Sequence, residues 1–466
     1  PVCQPNRASI LTGRYPSVHG LRHNGLALPL RQSTFVEVLR EGGYRTALIG
    51  KSHLQPMLDL KQLKGVFPDT GPISEAIKDT NSYRVELPEN LENTDALKIP
   101  TPYYGFDQVN LVSDHGDRPT GHYFGWLKSE VPDEWRCFRD SANELPHNYS
   151  CPQAYRTPVP ERLYPTSYIA QSAKSFIERH RSDSPFFIVA SFPDPHHPFN
   201  PPGRYWDMYD PERFSVDLPF SAHRNPTPLL QAIRNDFDSG TQNTQAHASF
   251  MASERQLQEA MALSAGMITM IDDAVGQLIA TLKRTGHWDN TIVIFTSDHG
   301  DFLGTFSMLL KGPHMHHSVY KVPFIWRSPE THRSNICTAL HSCVDIAPSI
   351  IAATGLKPYY GIQGLDIWGV TKRDTLLIEY EDNSRGRPYF GDHIPVLRTL
   401  LTNEHRLTVY QDEEWGEIYD LIGDHDETVN LWDCERHQAL RLKLVQALAN
   451  EMIRCRETSP FPQYRA

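Results

Sequence analysis

The sequence predicts an α/β fold: a doubly wound, mostly parallel sheet between helices, followed by a smaller α+β subdomain. Three observations predict it. Short apolar runs bounded by Gly, Pro or charged residues read as buried parallel strands at Thr46–Ile49, Pro185–Phe192 and Thr291–Thr296. Helical patterns precede each of them, at Ser33–Glu41, Ser167–His180 and Ala260–Arg284. Past about residue 365 the pattern changes. Thr375–Tyr380, Val396–Leu401, His405–Tyr410 and Glu417–Leu421 read as an antiparallel meander, closed by an amphipathic helix at His437–Arg454. These elements divide the chain into an α/β domain over residues 1–365 and an antiparallel-sheet subdomain over 366–466. Residues 55–165 are Pro-rich, aromatic and weakly periodic, which reads as a long insertion. Residues 205–255 read as a polar connection.

The chain has 466 residues, 39% hydrophobic and 22% charged, enough apolar mass for a sizeable core. No run approaches the ~18 consecutive apolar residues of a membrane span. A net charge of −11 and the lack of any Lys/Arg block argue against a general nucleic-acid binder. Seven Cys without a CxxC indicate neither a disulfide framework nor a zinc knuckle. Pro1-Val2-Cys3 is neither an initiator Met nor a signal peptide, so the compartment, cytoplasmic or secreted, is left open.

In a doubly wound sheet, ligands bind at the carboxyl ends of the strands, so the loops after the strands are where chemistry is expected. The densest pattern comes first: Cys3-Gln4-Pro5-Asn6-Arg7, then Leu11-Thr12-Gly13-Arg14. A Cys at a helix start sits where unpaired amide N–H groups favour an anion, although a Cys near a terminus is by itself more often inert. Gly43–Leu54 is a strand ending in Gly50, followed by Lys51 and His53, a cation and an imidazole two apart. Asp194-Pro195-His196-His197-Pro198 follows the second strand, its prolines stiffening the loop. Ser297-Asp298-His299-Gly300-Asp301 follows the third, with Lys311-Gly312 beyond it. Adjacent Asp and His suit a divalent metal.

Cys-x-Pro-x-Arg followed by Leu-Thr-Gly-Arg closely resembles the sulfatase signature, in which the Cys is oxidised to Cα-formylglycine. Asn6 stands where that family usually has Ser or Ala, but Pro5 and Arg7, which the modifying machinery mostly reads, are in place. Gly43–Leu54 resembles the second sulfatase signature. The family's Pro-His-x-Pro maps its active-site His onto His196, with His197 as the neighbour and the alternative. Asp298-His299 resembles the family's metal ligands, more often Asp-Asn, in the form of the phosphonate-hydrolase branch. Lys311 matches the second active-site Lys, while Thr305-Phe306 stands where relatives often carry an acidic residue and a His. Tyr410, Gly416–Leu421, Glu427 and Asn430-Leu431 look like the closing segment.

The resemblance spans essentially the whole chain and implies an alkaline-phosphatase-like sulfuric ester hydrolase. Its substrate would be a small-molecule or sugar sulfate ester, and its partner the formylglycine-generating machinery. It implies one divalent metal, Ca²⁺ before Mn²⁺, on Asp298, His299 and residue 3. Hydrated formylglycine at position 3 would attack sulfur, with Arg7 and Lys51 holding the gem-diol and the sulfuryl oxygens. His196 and Lys311 would lie on the leaving-group side, and His53 would take the proton whose loss regenerates the aldehyde. A phosphonate monoester or phosphodiester hydrolase with the same residues, and an inactive binding relative, are the alternatives.

Two further patterns compete. Ser113-Asp114-His115-Gly116-Asp117 repeats the Asp298 pentapeptide inside the insertion, without a strong preceding strand. His115, with His122, is read as a candidate for the substrate side, ahead of a second metal site. Asp272-Asp273 lies mid-helix and reads as structural. A metal on Asp298 and His299 alone is under-coordinated, since Ca²⁺ takes about six to eight oxygens. Relatives supply an Asp-Asp pair from a strand ahead of the Cys motif, so the sequence is expected to be a fragment lacking that strand.

Overall fold

The computed structural model describes residues 2–57, 76–92, 97–180, 184–245, 247–330, 335–381 and 395–464. The central sheet comprises β1 (Arg45–Gly50), β2 (Gln108–Ser113), β3 (Thr120–Gly121) and β4 (Phe186–Ser191), in the order β3-β2-β1-β4. β1 is parallel to both β2 and β4, with Ile49 opposite Asn110 and Ala190. β3 runs antiparallel along the outer edge. The three parallel strands therefore finish side by side, and the loops that leave them carry Lys51, His115 and His196 to one edge.

β1 is buried from Thr46 to Gly50 because alternate side chains enter different cores. Leu48 packs with Phe35, Val36 and Leu39 of helix Phe35–Glu41, which a Thr34/Glu37 capping box starts. Ala47 and Ile49 pack with Ile169, Ala173 and Phe176 of helix Pro165–Arg179 on the opposite face. Helices on both faces of a largely parallel sheet are the expected α/β arrangement.

β2 corrects the reading of residues 55–165. It belongs to the central sheet, so the segment is not merely an insertion, and the Ser113–Asp117 pentapeptide does follow a strand. Gln108 and Asn110 interrupt its apolar run, which hides it from a search for continuous hydrophobicity. The polar connection likewise holds a helix, Pro228–Ser239, and the short β5 (Phe250–Met251). β6 (Val293–Thr296) gives a second correction. Among the described residues, it pairs antiparallel with β8 (Phe324–Arg327), in a two-stranded sheet of its own. β7 (Met308–Leu309) pairs with β5. Phe295 is 39% exposed, so β6 is not fully buried. Its apolar composition marks a strand but does not say which strand lies beside it.

Helix Glu254–Arg284 is long and apolar enough, by length and composition, to cross a membrane. In the fold it is a core helix, with Leu257, Leu263, Met267 and Met270 buried. The C-terminal sheet is an antiparallel meander, β9 (Leu376–Glu381), β10 (Val396–Leu401), β11 (His405–Tyr410) and β12 (Gly416–Asp420). Helix Gln438–Arg454 covers it, packing Leu444 and Leu448 on Leu377, Leu400, Leu407 and Ile418.

Candidate active site

Helix Cys3–Thr12 puts Cys3 at its first position, after an extended Val2 that provides no side-chain cap. Of its first-turn amides, Gln4 N–H donates to Asn24 Oδ1 at 3.2 Å and Pro5 has none, so the partial positive end of the helix lies at Cys3 itself. Cys3 is buried, its Sγ 3.1 Å from Nε2 of His299. Arg7 is one turn further along the same helix face. Its Nε donates to Oδ2 of Asp298 at 2.8 Å, and one terminal nitrogen donates to the Lys51 carbonyl at 3.1 Å and Ser191 Oγ at 2.9 Å. A single guanidinium thus ties together the loops leaving β1, β4 and β6.

Gly50 makes the approach of β1 to β4 possible. Its φ is +112°, and a Cβ there would lie 1.9 Å from the Ser191 carbonyl oxygen. Lys51 follows it, buried, and its Nζ donates to Nε2 of His115 at 2.6 Å. His53 is held in a left-handed conformation, φ 59°. The amides of His53, Leu54 and Gln55 all donate to the buried Glu86 carboxylate, at 2.8, 3.0 and 3.2 Å, and Tyr103 Oη donates to it at 2.6 Å. Glu86 thus shapes the Lys51–His53 loop, and no local pattern announces it.

The other wall is built of imidazoles. His196 Nδ1 faces the His197 carbonyl at 2.7 Å, which places the proton on Nδ1 and leaves Nε2 to accept from Lys311 Nζ at 3.1 Å. His115 lies on His196 with ring centroids 3.7 Å apart. His197 uses its Nε2 to hydrogen-bond His247 Nδ1, at 2.8 Å. His247, on the 240–250 connection, is another neighbour that spacing does not reveal.

His122 goes elsewhere, contrary to its reading as a substrate-side residue. It starts helix His122–Glu130, and its Nδ1 accepts the Leu111 N–H at 3.0 Å, which anchors the helix to β2. Asp117 is fully buried and accepts from Tyr155 Oη and Thr157 Oγ1. Asp272 is exposed, and Asp273 binds Arg204 and Tyr205 on the protein surface. Phe306 fills a core with Phe302, Met308 and Val319.

The electrostatics separate two kinds of group. Burial would raise Asp298, but Arg7, His299, Lys51 and Lys311 outweigh it and hold the carboxyl far below its usual range. Burial would also raise the Cys3 thiol, which Lys311, His299 and Lys51 instead pull well down. An anion is therefore favoured where Cys3 sits. Burial lowers Lys51 to about 8 and His53 to about 4. His115, His196 and His197 are pushed well below 6.5, by burial first and then by neighbouring positive groups. At neutral pH these rings are uncharged and act through hydrogen bonds.

One donor atom each from Cys3, Asp298 and His299 lie within 4.8 Å of one another. His299 Nδ1 donates to the Gly300 carbonyl at 2.8 Å, which leaves the Nε2 lone pair free toward Cys3. An ionised carboxylate, an imidazole with its tautomer fixed and an anion-favouring third position fit a divalent metal.

A buried position made for a nucleophile, with the ammonium groups of Lys51 and Lys311 near it at the carboxyl edge of a parallel sheet, suits hydrolysis of anionic esters. The sulfatase family profile matches residues 1–356. The chain belongs to the sulfatase family and is a sulfuric ester hydrolase of alkaline-phosphatase-like fold. It is 26% identical over 472 residues to a protein named uncharacterized sulfatase YidJ of Escherichia coli (strain K12), covering 100% of this chain and 80% of that one. Its fold superposes on the phosphonate monoester hydrolase of Agrobacterium radiobacter with a TM-score of 0.72 at 21% identity, over 98% of this chain and 88% of that one. A protein solved in complex with its substrate, D-glucosamine-2-N,6-O-disulfate, matches with a TM-score of 0.65 at 19% identity, over 99% of this chain and 90% of that one.

Proposed function

We propose that the protein hydrolyses the sulfate ester of a sugar or comparable small alcohol, with residue 3 in the formylglycine form and a divalent metal, Ca²⁺ before Mn²⁺, on Asp298, His299 and residue 3. The observation that carries this is the position of Cys3, at the first position of a helix and 3.1 Å from His299. Formylglycine supplies a nucleophile that can release sulfate again, and the metal supplies Lewis-acid charge. The remaining work falls to this chain's side chains. Arg7 and Lys51 present N–H groups to the sulfuryl oxygens, offsetting the negative charge of the group under attack. Lys311 and His196, joined Nζ to Nε2, hold the proton that the departing alcohol oxygen needs. His53, kept neutral by burial, has a lone pair for the proton released at residue 3. Neutral imidazoles on the leaving-group side suit hydroxyl-bearing alcohols, and the disulfated glucosamine bound by the structural neighbour supports a sugar.

The Asp298-His299 pair and the likeness to a phosphonate monoester hydrolase favour a second reading, phosphonate monoester hydrolysis by the same residues. A substrate panel decides. Protein co-expressed with formylglycine-generating machinery is assayed on aryl sulfate, sugar sulfates, a phenyl phosphonate ester and a phosphodiester. The highest kcat/KM is expected on a sulfate ester; a higher value on the phosphonate would replace the first reading by the second.

A further inference from the structure

We infer that His115 is a positioning residue of this site: Asp114, His115 and Lys51 form a chain of hydrogen bonds that aims the Lys51 ammonium, while the His115 ring backs His196. Only the chemistry being served rests on the function proposed above.

The chain is internally consistent. Asp114 Oδ1 accepts the His115 backbone N–H at 3.0 Å and faces its Nδ1 at 3.1 Å. That fixes the proton on Nδ1 and leaves Nε2 as an acceptor, which is what a lysine ammonium requires at 2.6 Å. With one Nζ–H committed to His115, the orientation of the other two is set, so they can be directed at an anion beside residue 3. Free lysine side chains carry about 2 kcal/mol of rotamer entropy, so a fixed acceptor at the tip reduces what must be ordered during turnover.

The ring itself is held by a built loop. Asp114 has a φ of 84° and Gly116 of 65°. A Cβ on Gly116 would lie 2.7 Å from Pro198 Cγ, so this loop is pressed against the one carrying His196 and His197. Asp117 anchors its far end through Tyr155 and Thr157. The consequence is two parallel couples, Lys51–His115 and Lys311–His196, stacked ring on ring with planes 16° apart. Each lysine points at the site from a neutral imidazole acceptor. Asp114 and His115 lie outside the sequence patterns that carry the family resemblance.

The test separates acceptor from filler. His115→Gln keeps an amide oxygen for Lys51 but loses the ring, and His115→Phe keeps a ring but loses the acceptor. With the best substrate of the panel, His115→Phe is expected to lose about tenfold to a hundredfold in kcat with little change in KM, and His115→Gln to stay within about threefold of wild type. The reverse order would overturn the proposal and leave His115 a packing residue. Nitrogen-15 NMR of histidine-labelled wild-type protein needs no substrate and no variant. The Nδ1–H tautomer at His115 is expected, and the Nε2–H tautomer would overturn the proposal whatever reaction the protein catalyses. Wild-type activity on the phosphonate alone would instead remove the sulfate reading and leave the tautomer and the variant order to judge His115.

Discussion

The imidazole rings of His115 and His196 lie face to face, with centroids 3.7 Å apart and planes 16° from parallel. Each accepts a hydrogen bond from a different lysine, Lys51 on the residue-3 side and Lys311 on the leaving-group side. The stack joins the two halves of the site, and the His299 ring stands edge-on to that of His196, with centroids 6.3 Å apart. Substitutions on the two sides should therefore have different signatures.

His196→Ala should lower kcat by on the order of 10²–10⁴, the usual effect of removing a proton-transfer group. The loss should shrink on substrates with good leaving groups. His197→Ala should be much milder, because His197 is hydrogen-bonded to His247 whereas Lys311 hydrogen-bonds His196. Steady-state kinetics on alkyl and aryl sulfates checks both, and a larger loss for His197→Ala would reverse the assignment within the pair.

Gly50→Ala should unfold the protein or cost about 3 kcal/mol or more, because it adds a strained backbone conformation to a backbone clash. The clash is the 1.9 Å approach to Ser191, and it lies between the two strands that hold Lys51 and Arg7 in place. Gly43→Ala is the control, since no atom lies within 4 Å of its would-be Cβ and its cost is strain at φ +87° alone. Chemical denaturation of the two variants should rank Gly50→Ala as clearly the worse.

Acid should destabilise the fold well before ordinary carboxylates titrate. Burial lowers His19 to about 3, and His223 and His316 to about 4. Their unfolded pKa is about 6.5, so the unfolded chain binds more protons as the pH falls from 6.5 toward 4. A native pKa below the unfolded one means stability present above pH 6.5 and lost below it. Asp194 opposes this, because burial raises it to about 7 and its native form takes up a proton first. Three groups against one leave a net loss. The midpoint of thermal unfolding, followed by calorimetry from pH 7.5 to pH 5, should fall steadily.

Asp298→Asn should weaken divalent-metal binding by at least about tenfold to a hundredfold, the range already seen for mere supporting partners of metal ligands. It also leaves Arg7 without its carboxylate. Calcium titration followed by calorimetry checks this, and unchanged affinity would move the metal away from Asp298.

Local sequence and spatial assembly contributed unequally to what could be read in advance. Cys3, Arg7, Lys51, His196, Asp298 and Lys311 stand in short local patterns that resemble the sulfatase signatures, and that resemblance, more than composition or spacing alone, is what singled them out. The C-terminal meander was legible from its own pattern: its alternating strands carry apolar residues against helix Gln438–Arg454. β2 was not, because Gln108 and Asn110 break the apolar run that marks a buried strand. Glu86, Ser191 and His247 reach the site through hydrogen bonds that span tens to hundreds of residues, which no periodicity encodes. His115 and His122 looked alike in sequence, both inside a segment read as an insertion, yet one joins Lys51 and the other caps Leu111. Backbone direction separates them, and it is absent from the composition of the segment.

The central claim is that residue 3 does the chemistry in its oxidised form. Mass spectrometry of the peptide containing residue 3, run alongside sulfatase activity over preparations of graded modification, tests it most directly. Activity should rise in proportion to the formylglycine fraction, and Cys3→Ala should be inactive with an unchanged melting curve. Full activity from protein carrying only the unmodified Cys3 thiol would contradict the account.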